Sequence, residues 1–181
     1  MLSFISLIQN AVPPGAPSAG CCFTNGSLYL AGYQPHKKVP CIHGIGGHLK
    51  EGETELEAAI RELIEELFEI HPAPDSLRRE IELHFPPRKV HTIHSYTVHM
   101  YTFDDLEDML RRMQKYNLES KLYESFPTTV TDLIFKRNTS NCRMAEISHL
   151  TILPFVSHPN DTQLVSPQLL SDIRYMKGNN R

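Results

Sequence analysis

The sequence has no excess of positive charge: its formal net charge is -3, so no global basic field argues for a nucleic-acid partner. It has no CxxC pair. Cys21, Cys22, Cys41 and Cys142 stand at spacings that suit no zinc site, and free thiols in a reducing compartment are expected. Ten histidines are many, yet none forms an HExxH pair; His91, His94 and His99 sit in a strand-like run that suggests packing or surface roles. No GKS or GKT occurs, which excludes a P-loop. Long hydrophobic runs are absent too. The run LSFISLI near the start is too short to span a bilayer, and no basic residues precede it, so neither a membrane span nor a cleaved leader is the expectation. The expected localisation is cytoplasmic, with the nucleus second. No internal repeat is apparent, and 181 residues suit one domain with a real core.

What is present is concentrated in GGHLKEGETELEAAIRELIEELFEI, residues 46–70. Thr54 followed by Glu57 is a capping box that starts a helix. Leu56, Ala59, Ile60, Leu63 and Leu67 then recur at helical spacing and form one apolar stripe. The opposite face carries Glu62, Glu65, Glu66 and Glu69, and each like pair costs roughly 0.2–0.5 kcal/mol. A solvated acidic face is the plain alternative, but such faces interleave lysine, and this one offers only Arg61. Carboxylates converging without counter-charge suit a hard divalent cation. Upstream, Gly44, Gly46, Gly47 and Gly52 allow close backbone approach to a ligand.

The spacing of Gly47, Glu53, Arg61-Glu62-Leu63 and Glu65-Glu66 resembles the Nudix box. That resemblance implies an α/β/α sandwich with a mixed sheet, and hydrolysis of a diphosphate that joins a nucleoside to another group. It implies a magnesium or manganese cofactor held by Glu62, Glu65 and Glu66, with the Gly47 carbonyl and a further glutamate, Glu146, as additional ligands. Catalytic roles fall to Glu62 and Glu66, with Arg61 and Glu53 as the supporting pair; an arginine fork can fix carboxylate orientation. Substrate contacts are expected from Gly46, Lys50 and Tyr33. Lys50 stands where many relatives carry an acidic ligand, for which Glu51 or Glu146 would compensate. The family also expects glycine and then an aliphatic residue where this chain has Phe68 and Glu69, which bears on the helix exit and not on the ligands.

Read in order, residues 1–20 form a strand and an irregular linker, and residues 21–181 form the single domain. Asn25-Gly26 marks a hairpin. Pro72 and Pro74 stop the acidic helix. Glu80–Phe85 and Lys89–Phe103 read as strands, the second as one continuous run. Asp104 is the expected N-cap of a second helix with Leu106, Leu110 and Met113 on its apolar stripe. Residues 128–135 suit a strand or a helix. Residues 144–155 read as a late strand, and Ser166-Pro167 opens the last helix. Unaided by the resemblance, this order gives an α/β or α+β class.

The substrate is a small nucleotide diphosphate or capped RNA. Tyr33, Tyr96 and Phe68 are stacking candidates, although core packing is the commoner role of such residues. The loss of the motif glycine and the Glu146-Ile147 pair are similar to viral mRNA-decapping Nudix enzymes. Lys37, Lys38, Lys50, Arg78, Arg79, Arg88 and Lys89 could then line an RNA path. Two other classes stay open: a catalytically inactive Nudix-like binding module, and an unrelated helical protein with a charged interaction face. No membrane partner is expected, and a homodimer is left open.

Overall fold

The computed structural model describes residues 15–138, 140–155 and 164–178. Strand β1, Ser18–Phe23, is central: it pairs in parallel with β6, Tyr96–Tyr101, and antiparallel with β4, Ile45–His48. Strand β5, Lys89–Ile93, completes this mixed sheet in the order β4-β1-β6-β5. A second sheet joins β3, Cys41–His43, to β2, Leu28–Gln34, and β2 to β7, His149–Pro154. Five α-helices are described: α1 Glu55–Phe68, α2 Asp75–His84, α3 Phe103–Gln114, α4 Val130–Phe135 and α5 Pro167–Gly178.

Alternation along β1 explains the layering. Ala19, Cys21 and Phe23 face a core built with Ile60, Leu63 and Leu67 of α1. Cys22 faces the other way, into a cluster with Val98, Met100 and Leu169, Ile173 and Met176 of α5. Successive side chains of a strand point to opposite faces, so one sheet acquires a helix on each side. This is the α/β/α arrangement with a mixed sheet. Ser166 accepts a hydrogen bond from the Leu169 amide at 3.1 Å and so caps α5.

Several local expectations are corrected. Asn25-Gly26 does make a turn, with Asn25 Oδ1 accepting from the Ser27 and Leu28 amides and Gly26 at φ 88°. After the single bridge Thr24–Tyr29, however, β1 and β2 enter different sheets. Residues 80–85 are not a strand: 80–84 belong to α2 and Phe85 is its C-cap, and Leu77 and Ile81 of that helix are fully buried four residues apart. The run 89–103 is not continuous. His94 adopts φ 56° and turns it into the β5–β6 hairpin, so Ile93 lies opposite Tyr96 and joins the α5 side. Thr102, not Asp104, caps α3, in a capping box with Asp105. Residues 130–135 are helical, and the late strand begins only at His149. The run at 2–8 and the tail at 179–181 lie outside the described residues.

At the exit of α1 the left-handed residue is Glu69, at φ 53° and ψ 38°, so the helix runs through Phe68. Phe68 is fully buried and stacks on Phe126 at 4.8 Å between centroids. It is therefore a core residue and not a pocket aromatic. Phe68→Gly is expected to lower stability by about 3–5 kcal/mol, as large core truncations do, measured as a shift in the denaturant midpoint at constant m.

Candidate active site

The site is assembled where α1 passes beneath β4. Thr54 accepts from the Glu57 amide at 3.2 Å, and the Glu57 carboxylate accepts from the Thr54 amide at 2.8 Å. That capping box fixes the register that turns Glu62 and Glu66 toward the glycine loop. A side chain at Gly47 would collide with the Glu62 carboxylate, and one at Gly46 with the backbone of Ala19 and Gly20. The two glycines therefore permit the close approach of strand and helix.

Arg61 organises the carboxylates. It is only 4% exposed and grips Glu53 through Nε at 2.7 Å and Nη2 at 2.9 Å. Its Nη1 donates to Glu62 at 2.6 Å and to Glu65 at 3.2 Å, and Nη2 also donates to the His48 carbonyl at 2.9 Å. Glu53 in turn accepts from the Lys50 amide at 2.8 Å. The bidentate fork is a geometry that lysine does not reproduce.

Glu66 lies apart from the arginine and is buried. Its carboxylate accepts from the Gly46 amide at 2.8 Å and from Gln34 Nε2 at 2.9 Å. Burial, reinforced by the charges of Glu146 and Glu62, pushes its carboxyl well above the ordinary range. Glu62 is raised for the same leading reason, against the pull of Arg61. Glu146 reaches toward both from the far side, with Lys37 Nζ at 3.2 Å. Lys50 Nζ stands 3.5 Å from Glu65.

Gly46, Gly47, Lys50, Glu62 and Glu146 line a cleft of about 660 Å³, together with Lys37, Tyr96 and the first turns of α5. Glu53, Arg61, Glu65 and Glu66 stand one contact removed from it. Tyr33 is not among its lining residues; Tyr96 is. A smaller basin of about 430 Å³ adjoins it, sharing Lys37 and Glu146 and walled by His36, His71 and Met144. Among the described residues, no three His, Cys, Asp or Glu side chains are already drawn together around a metal-sized space. Arg61 holds Glu62 and Glu65, while Gln34 and Gly46 hold Glu66. The basic residues considered for an RNA path are largely engaged: Lys37 with Glu146, Arg78 with Glu53 and Asp75, and Arg88 with Asp105.

Some contributors carry no sequence signal. Gln34, the last residue of β2, meets Glu66 across 32 positions. Glu69, read from spacing as part of the acidic face, instead accepts from the Glu146 amide at 2.9 Å and so ties that segment to the helix exit. Arg137 Nη1 donates to the Leu67 carbonyl at 2.9 Å, and Ser120 Oγ to the Phe68 carbonyl at 2.6 Å. These satisfy helix-end acceptors that the left-handed exit leaves over.

The family described as "NUDIX domain" matches residues 15–119. The chain belongs to the Nudix family. Helix α1 and the glycine loop before it lie within the matched residues. Among solved structures, the bifunctional NMN adenylyltransferase/ADP ribose pyrophosphatase of Francisella tularensis, complexed with AMP and a Mn ion, is similar at a TM-score of 0.50 and 15% identity. The match covers 93% of this chain and 42% of that one, so the Nudix chain spans less than half of that protein. A NUDIX hydrolase from Nitrosomonas europaea is similar at a TM-score of 0.46 and 13% identity, over 92% of this chain and 90% of that one. No curated protein sequence matches the chain. Among the described residues, no helix is long and apolar enough to cross a membrane.

Proposed function

We propose that this Nudix hydrolase cleaves the diphosphate linkage of a nucleoside diphosphate joined to a second group, with magnesium or manganese as cofactor. The observation that carries the reading is the convergence of Glu62 and Glu146 on one cleft beside its Gly46-Gly47 wall, with Glu66 held just behind it by the Gly46 amide and its carboxyl raised by burial and by the charges of Glu146 and Glu62. Oxygen donors with surplus negative charge fit a hard divalent cation. Glu62, Glu65 and Glu66, with Glu146 and the Gly47 carbonyl, would hold it. Once bound, such an ion polarises a phosphoryl oxygen and lowers the pKa of water.

The chain's own residues supply the rest. Arg61 and Glu53 hold Glu62 in place, acting as positioning residues. Lys37 and Lys50 stand in the cleft and attract the diphosphate. Gly46 and Gly47 let its oxygens approach the backbone. The adenine nucleotide in the Francisella tularensis protein supports a nucleoside-bearing substrate. The ion pairs that engage Arg78 and Arg88 favour a small molecule over capped RNA, because RNA affinity depends on phosphate neutralisation by unpaired cations. An intact Arg61, Glu62, Glu65 and Glu66 set favours an enzyme over an inactive binding module.

The test is phosphate release after coupled phosphatase treatment, over a panel of nucleoside diphosphate compounds and capped RNA. Turnover is expected only with magnesium or manganese, to stop on addition of EDTA and to return on adding back excess metal. Full turnover in metal-free buffer would overturn the cofactor assignment, and efficient release of methylated GDP from capped RNA beside idle small nucleotides would overturn the substrate class.

A further inference from the structure

The cleft is walled in part by α5, whose Gln168, Leu169 and Asp172 line it together with Tyr96 and Gly44. Asp172 is only 3% exposed and sits on the helix face that carries the apolar Leu169, Ile173 and Met176. Burying a carboxylate is costly unless it is hydrogen-bonded. Among the described residues, its one hydrogen bond is from Gln168 Nε2 at 2.9 Å. We infer that this wall reads the edge of a nucleobase, with the two oxygens of the Asp172 carboxylate, oriented by Gln168, accepting two neighbouring N–H donors, and that it selects guanine.

The inference rests on the reading that the cleft takes a nucleoside diphosphate. With the diphosphate against Gly46, Gly47, Lys37 and Lys50, the nucleoside lies toward α5. Gln168 keeps one N–H and its amide oxygen, whereas the Asp172 carboxylate donates nothing: its second oxygen and a free lone pair of the first stand side by side as acceptors. Guanine presents N1–H beside the exocyclic N2 amine, two adjacent donors. Adenine and cytosine place an acceptor next to their amine, and uracil sets its single N–H between two carbonyls. Only guanine therefore matches two side-by-side acceptors, and contacts to a carboxylate are the stronger, charge-assisted kind. Burial pushes the Asp172 carboxyl up to about 6, against the donation from Gln168, so at neutral pH the acceptor form prevails. The Tyr96 phenol lies against Gly20, Gly44 and Gly46 and lines the cleft between the glycine loop and α5.

The experiment is a calorimetric titration of the full chain with GDP, ADP, CDP and UDP in magnesium, alongside hydrolysis of the corresponding nucleoside diphosphate sugars. GDP is expected to bind about 10- to 100-fold more tightly than the others, the range of one good bidentate base contact. Asp172→Asn, which puts an N–H where the acceptor stood, should remove that preference while shifting ADP, CDP and UDP by less than about threefold, on the same basis. Gln168→Ala, at an exposed position, keeps the test alive if the Asp172 variant melts early; it should weaken GDP selectively and leave the thermal midpoint in place. Equal affinity for all four nucleotides, or a uniform loss in the variants, overturns the inference. Selective GDP binding with no hydrolysis of any diphosphate would sustain it and overturn the proposed activity. Hydrolysis indifferent to the base would do the reverse.

Discussion

Glu66→Gln is expected to lower kcat by on the order of 10³-fold, about 4 kcal/mol of transition-state stabilisation, while the thermal midpoint stays level or rises. The two halves follow from different facts. Loss of turnover follows from the proposed role, because an amide oxygen is a weaker donor to a divalent cation than a carboxylate. Retained stability follows from geometry. Burial disfavours the charged form of Glu66, as do the neighbouring charges of Glu146 and Glu62, and a neutral amide of the same shape relieves that opposition. Its hydrogen bonds survive: the new Oε1 accepts from the Gly46 amide, and the new N–H reaches Gln34 Oε1, which is buried and has no partner among the described residues, once the Gln34 amide turns over. Steady-state kinetics beside calorimetric melts in EDTA separate the two halves. A rate within a few-fold of wild type would reduce the acidic cluster to structure.

The second large effect is on stability. Arg61→Ala should destabilise the domain by about 3–5 kcal/mol, the usual result of breaking a buried ion pair by removing one partner. For a chain of this size that corresponds to a fall of roughly 6–20 °C in Tm. Glu53, Glu62 and Glu65 would all lose the guanidinium that now reaches them at 2.6–3.2 Å, and the His48 carbonyl would lose its donor. Arg61→Lys should recover only a minor part, since one ammonium cannot grip Glu53 with two parallel bonds while also reaching Glu62. A midpoint within about 2 °C of wild type for Arg61→Ala, less than 1 kcal/mol on the same conversion, would show that solvent compensates the carboxylates. The contrast with Phe68→Gly is instructive: there a comparable loss comes from an apolar void, so salt should leave it unchanged.

Much of the box was legible because its physics is local. The Thr54–Glu57 capping box, the stripe of Ala59, Ile60, Leu63 and Leu67, and the offset from Gly47 to Glu62 all act within a span of a dozen or so residues, where periodicity and capping chemistry decide the outcome. Placement of α2 was missed because a short amphipathic segment after two prolines reads equally well as a strand until Leu77 and Ile81 are seen packing against the core. The β5–β6 turn was missed because His94 takes a left-handed conformation without the glycine or asparagine that usually announces one. The tertiary structure alone decided that β1 and β2 part into separate sheets, that Glu69 anchors the Glu146 segment, that Arg137 completes the helix exit, and that Asp172 enters the cleft. Those contacts join residues tens of positions apart through glutamate, arginine and aspartate, which by type alone belong on any protein surface. Chain distance leaves no periodicity to read, and only folding reveals which of these charges lose their water.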